Sequence, residues 1–170
     1  LPYWDLFEWA DVAALDTELV FDSSYTNIVV PEITQDGDGW FDDCYTFVKE
    51  NHKPNTHFYL KYRLKTKREL WRNRKMEWKL RWHGYSNFTP VYSPYFFTMV
   101  RLLQECDRVA FTSNASLMIL DCMAAGATVE LAYDTSRDNV WAEPEANRAC
   151  DDYALAPEDT RRRLLGSAGG

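Results

Sequence analysis

Apolar positions along this chain fall into short runs, and several of them alternate with charged residues at period two. The clearest case is His57–Lys65, with Phe58, Leu60, Tyr62 and Leu64 on one side and Tyr59, Lys61, Arg63 and Lys65 on the other. That alternation describes a strand with one apolar and one charged face. The same reading takes Leu70–Arg74 and Glu77–Trp82 as a hairpin pair. Arg72 and Arg74 then share one strand face, as do Lys79 and Arg81, while Trp78, Leu80 and Trp82 pack outside. Further strands are expected at Glu18–Phe21, Tyr25–Val30, Trp40–Val48, Val109–Thr112, Leu117–Cys122 and Thr128–Tyr133. Helical spacing predicts a short amphipathic helix over Tyr3–Leu15 and a half-buried one over Tyr95–Cys106, where Ser93 can cap and Pro94 opens the first turn. A last short helix runs from Pro157 to Leu165. Pro31–Gly39, Asn51–Asn55 and Gly84–Pro94 read as loops by their turn residues. Strands, a central helix and more strands give an α+β class with a largely antiparallel sheet.

Charge changes this picture in one place. Ten of the nineteen Lys and Arg residues fall within Lys61–Trp82, while the whole chain carries a net charge of −7. That balance argues against general nucleic-acid binding, which needs a basic footprint, and leaves a local anion site or a docking face open. At 170 residues, with 46% hydrophobic and 15% aromatic content, one packed domain is the default. The four cysteines, Cys44, Cys106, Cys122 and Cys150, form no CxxC pair, so spacing gives no zinc site and buried free thiols are the plain reading. His52, His57 and His83 are not spaced as a ligand set. No apolar run reaches transmembrane length. Tyr3, Trp4, Phe7 and Trp9 would form an aromatic docking arm. The chain begins at Leu1, which a removed targeting peptide or preceding residues would explain.

Several segments fall in the order of one family. Phe41-Asp42-Asp43-Cys44-Tyr45 looks like an F-x-D-x-Y segment, and Leu70-Trp71-Arg72-Asn73-Arg74 looks like a strand ending in L-R-x-R. Trp78-Lys79-Leu80-Arg81 is similar to W-E-L-K, Thr128–Leu131 with Asp134-Thr135 to V-D-L-D-T, and Trp141–Glu145 to G-E-x-E. On these motifs, from Phe41 to Ala146, the chain resembles the CYTH superfamily of triphosphate tunnel metalloenzymes, in its thiamine-triphosphatase branch. The resemblance implies an antiparallel sheet curled into a tunnel or barrel, with a central helix and short terminal helices. It implies phosphate-binding roles, active or vestigial, for Arg72, Arg74, Lys79 and Arg81, and metal-ligand roles for Glu130, Glu143 and Glu145. By the residues alone, those three acids serve equally as ion-pair partners of the arginines.

The departures shape the function expected. The family's E-x-E-x-K strand is matched only by Glu18-Leu19-Val20-Phe21-Asp22, without the second Glu or the Lys, and Thr112-Ser113-Asn114 stands where T-x-R would be. The reading this favours is a pseudoenzyme with no catalytic residue and no cofactor: an accessory subunit on the soluble side of a larger, mitochondrial assembly of respiratory or ATP-synthase type. Its partners would be other protein subunits, without nucleic acid and without a transmembrane segment of its own. A divergent Mg²⁺-dependent triphosphatase and a phosphate-ligand binding module are the alternatives. The organisation expected is a docking arm and short strands over 1–30, a CYTH-like domain over 31–165 and a flexible tail over 166–170.

Overall fold

A computed structural model describes residues 19–32, 39–63, 70–92, 96–113, 119, 122 and 127–133. The densest apolar runs become strands: Thr26–Pro31 (β1), Thr56–Lys61 (β2), Phe88–Val91 (β3), Arg108–Phe111 (β4) and Val129–Leu131 (β5). Between them lie helices Gly39–Asn51 (α1), Leu70–Trp82 (α2) and Phe96–Glu105 (α3), and Ile119 and Cys122 are helical between β4 and β5. The five strands form one sheet in the order β3-β2-β1-β4-β5, and every pairing is parallel. Parallel neighbours cannot be joined by a tight turn, so successive strands are linked by crossover segments that pack back on the sheet.

Alternate strand residues feed two cores. Ile28, Val30, Phe58, Leu60 and Ala110 face one way and pack with Trp40, Cys44, Phe47 and Val48 of α1 and Met76 and Leu80 of α2. Val29, Tyr59, Val109, Phe111, Val129 and Leu131 face the other way, against Leu102 of α3, Ile119 and Cys122. The sheet is therefore doubly wound. Strands buried on both faces read as unbroken apolar runs, which is how Ile28-Val29-Val30 and Val109-Ala110-Phe111 look in the sequence.

This architecture overturns the expected antiparallel tunnel. The sheet is open and wholly parallel, because segments read as antiparallel strands are crossover helices: Trp40–Val48 lies within α1, and both halves of the expected basic hairpin lie within α2. Ile119 and Cys122 are helical where a strand is expected. β3, in turn, occupies part of the expected Gly84–Pro94 loop, and it carries Pro90 at an edge of the sheet, where the missing N–H matters least. Leu19–Phe21 forms no strand. β1, β2, β4, β5 and α3 lie close to where the pattern puts them. The Tyr3–Leu15 helix with its docking residues Tyr3, Trp4, Phe7 and Trp9, the Pro157–Leu165 helix, Cys150, Glu143 and Glu145 lie outside the described residues.

Gly84 ends α2. Its φ of +81° is a left-handed conformation that suits glycine. The Gly84 N–H donates to Arg81 O at 3.0 Å and the Tyr85 N–H to Leu80 O at 2.9 Å, the paired bonds of a Schellman cap.

Candidate functional site

Doubly wound sheets bind ligands outside the carboxyl ends of their strands, where the strand order reverses. Here that point lies between β1 and β4, since β2 and β3 extend from one side of β1 while β4 and β5 extend from the other. The β1–β2 ladder holds to the last strand residue, Pro31 opposite Lys61. The β1–β4 ladder ends earlier, at Val29 opposite Val109. Beyond Val29 and Val109 no further β1–β4 ladder pair forms among the described residues, at the point where the two crossovers leave for opposite faces.

Glu32 and Thr112 lie just beyond the ends of these two strands. Counted on from the β1–β4 register, Glu32 comes level with Thr112. Glu32 is buried and held in place: its N–H donates to Lys61 O at 2.8 Å, and its Oε2 accepts the Arg63 N–H at 3.1 Å. Thr112 is 4% exposed, and its Oγ1 finds no hydrogen-bond partner among the described residues. A buried hydroxyl left unbonded is costly, which marks Thr112 as a group with bonding capacity in reserve. α1 begins at Gly39, on the crossover that leaves β1, so its N-terminus belongs to this same edge.

A polar cluster fastens α2 onto the ends of β2 and β3. Glu77 is wholly buried on α2, and its Oε2 accepts the Tyr92 hydroxyl at 2.5 Å. Arg74 reaches Glu77 Oε1 at 3.7 Å and places its guanidinium 5.3 Å from the centre of the Tyr92 ring. Tyr62 packs its ring 4.8 Å from that of Tyr92. Burial pushes the Glu77 carboxyl above its ordinary value, against the pull of the Tyr92 hydrogen bond and the Arg74 and Arg81 charges. The same burial raises the Tyr92 and Tyr62 hydroxyls. Apart from the exposed Arg74, this cluster is buried, and it holds α2 against the sheet.

Among the described residues, the four cations singled out from sequence fall on two flanks of α2, away from Glu130 on β5. Arg72, Arg74, Lys79 and Arg81 are all exposed on α2. Helical spacing sets Arg72 and Lys79 on one flank and Arg74 and Arg81 on the other. Lys79 lays its Nζ 4.0 Å from the Tyr45 ring centre, and Arg81 its guanidinium 4.8 Å from that of Phe88. Glu130, on edge strand β5, pairs with Arg108 at 3.2 Å. No group of three or more His, Cys, Asp or Glu that would hold a metal comes together among the described residues. Cys44, Cys106 and Cys122 are free thiols, and burial pushes Cys106 up to about 12 and Cys44 higher still.

Sequence reasoning passes over Glu32, Glu77 and Thr112 as site residues. Thr112 carries a usable signal, a hydroxyl directly after an apolar strand run. Glu32 and Glu77 carry none, because their burial depends on distant strands. After β1, the run Gly37-Asp38-Gly39-Trp40-Phe41-Asp42, which leads into the first turn of α1, has two glycines at dinucleotide-loop spacing and an Asp where the third would stand, so it lacks that fingerprint. In comparisons with known proteins, no family model, no curated protein and no solved structure matches the chain.

Proposed function

We propose that this chain is a small-molecule binding module that takes a nucleoside phosphate at the carboxyl edge of its sheet, between β1 and β4. The observation that carries the reading is the early end of the β1–β4 ladder at the reversal of strand order, with the buried Thr112 hydroxyl, unbonded among the described residues, just beyond β4. The phosphate is the part suited to the α1 N-terminus and to the Thr112 hydroxyl. Glu32, held by the Arg63 N–H, suits the sugar hydroxyls. The activity is binding without turnover. The triphosphatase alternative and the vestigial tunnel both need cations converging from neighbouring strands, and α2 carries those cations on a helix.

Equilibrium dialysis of the chain against labelled adenosine, uridine and guanosine phosphates tests this. Saturable binding to at least one is expected, with Thr112→Val weakening it about tenfold, the loss of one hydrogen bond to a charged group. The same substitution should leave unfolding stability unchanged or slightly raised, since it removes a hydroxyl that the folded protein leaves unbonded. A chain that takes up none of these ligands, or binds them as tightly after Thr112→Val as before it, does not use this edge.

A further inference from the structure

α2 presents a surface that the carboxyl-edge site does not use. Among the described residues, four large apolar side chains are conspicuously exposed, and three of them are Trp71, Trp78 and Trp82 of this one helix, at 72%, 63% and 73%. Spacings of seven and four residues are close to whole helical turns, so the three indoles lie along one outward line. Arg72, Lys75 and Lys79 flank that line on one side, and Arg74 and Arg81 on the other. All five cations are exposed, and the only acid of the helix, Glu77, is turned into the core.

Beside the crest, α1 and α2 leave an open groove of about 460 Å³. Phe41, Tyr45 and Trp71 line it with rings, and Arg72, Lys75 and Lys79 with positive charge. Asp42 is the single acid among its described lining residues. The sequence directly ahead of the helix, Lys65–Glu69, adds three cations, Lys65, Lys67 and Arg68, and one acid, Glu69, to the same run.

A line of tryptophans bordered by cations matches an interface that is apolar a few ångströms in and negative at its surface. Indole rings favour the headgroup level of a bilayer, and clustered Lys and Arg are drawn to anionic lipid over a Debye length. Single-stranded nucleic acid fits less well. Trp78 and Trp82 already stack on each other, with centroids 5.4 Å apart and planes 28° from parallel, which leaves no slot for a base between them. The cations also stand out sharply from a chain of net charge −7, so attraction to an anionic surface depends on how this face is presented.

We propose that α2 is a membrane-surface docking helix: it lies on an anionic phospholipid layer with Trp71, Trp78 and Trp82 at headgroup depth, the flanking cations on lipid phosphates, and one acidic headgroup in the α1–α2 groove. The attachment is peripheral. Among the described residues no helix is long and apolar enough to cross a membrane.

The test is sedimentation of the full chain with vesicles of phosphatidylcholine alone and of phosphatidylcholine with about one-quarter phosphatidylserine, at about 0.1 M and about 0.5 M salt. Binding is expected on the serine-containing vesicles only, and weaker at the higher salt. The triple variant Trp71→Ala, Trp78→Ala, Trp82→Ala should bind at least about tenfold more weakly, and so should Lys75→Glu with Lys79→Glu. Far-UV circular dichroism checks that each variant is folded. If the triple variant unfolds, the single Trp78→Ala variant is expected to weaken binding by about threefold. The proposal is overturned if the chain ignores serine-containing vesicles, binds neutral ones equally well, or keeps full affinity without the tryptophans or after charge reversal. It is equally overturned if α2 captures a single-stranded oligonucleotide or a protein surface while vesicles stay bare.

Discussion

α1 and α2 pack on the same face of the same sheet, yet they are built in opposite senses. α1 buries Trp40, Cys44, Phe47 and Val48, an unbroken apolar stripe at helical spacing, and shows Asp42, Asp43, Lys49 and Glu50 to solvent. α2 buries Leu70, Asn73, Met76, Glu77 and Leu80, of which two are polar, and shows three tryptophans and five cations. In α1 the inward face supplies the stability and the outward face supplies solubility. In α2 the inward face is held partly by hydrogen bonds, and three large apolar side chains stay exposed. Large side chains left outside while a carboxyl is buried point to a surface kept for a partner.

Truncating tryptophans should separate the two helices most clearly. Trp40 is 2% exposed and its indole N–H donates to Pro31 O at 3.0 Å. Trp40→Ala should cost about 3–5 kcal/mol in urea unfolding, as buried aromatic deletions do. Trp78→Ala should stay within about 0.5 kcal/mol of the native chain. Equal costs would mean that something in this chain covers the α2 crest, and the contrast would collapse.

Tyr92→Phe probes how α2 is held. It strips the Glu77 carboxyl of its hydroxyl donor and should cost about 1–3 kcal/mol. The pH dependence gives a second check on the same group. The folded Glu77 carboxyl lies above its unfolded value of 4.5, so its contribution is fully present below that pH and is lost as pH rises through the raised value. Glu77→Gln has no such loss. Its stability relative to the native chain should therefore improve between pH 4.5 and neutrality, and a difference that stays flat would argue against a desolvated acid.

Gly84→Ala asks how firmly α2 is stopped. Open space surrounds the position where a Cβ would stand, so the cost is the left-handed backbone alone, about 1–2 kcal/mol. A smaller cost would mean that the helix end relaxes without its cap.

A fainter signal should come from β2, away from either helix end. Burial lowers the His57 imidazole below its ordinary 6.5, and its Nε2 lies 2.7 Å from Thr89 Oγ1. A depressed histidine favours folding above the unfolded value and loses that contribution as pH falls, because the unfolded chain takes the proton first. His57→Gln should remove a shallow loss of stability below pH 6.5, measured by unfolding across that range.

Much of the fold is legible in single runs of sequence. Ile28–Val30, Phe58–Leu60 and Val109–Phe111 declare strands, and the spacing of Met99, Leu102 and Leu103 declares a helix. α2 is the instructive failure. On a helix, residues two apart point about 200° from each other. Trp78, Leu80 and Trp82 therefore alternate out, in, out, the same signature as a strand. The helical period is present at Asn73, Met76, Glu77 and Leu80, but it is hidden because two of those four are polar. Gly84, two residues beyond Trp82, is the readable sign of a helix end. The carboxyl edge between β1 and β4 is less legible. Thr112 and Glu32 are far apart in the chain, and neither belongs to a motif.

The information carried by the chain's own order of residues is local: where apolar side chains are dense enough to demand burial, where the backbone must turn, and that positive charge gathers in one segment. Direction and sidedness came from folding in three dimensions: that the strands run parallel, that the reversal falls between β1 and β4, and that the tryptophans of α2 look outward. Burial drives a segment out of water whatever its partner. Strand direction and the facing of a helix are instead fixed by which distant surfaces remain to be covered once the sheet has formed.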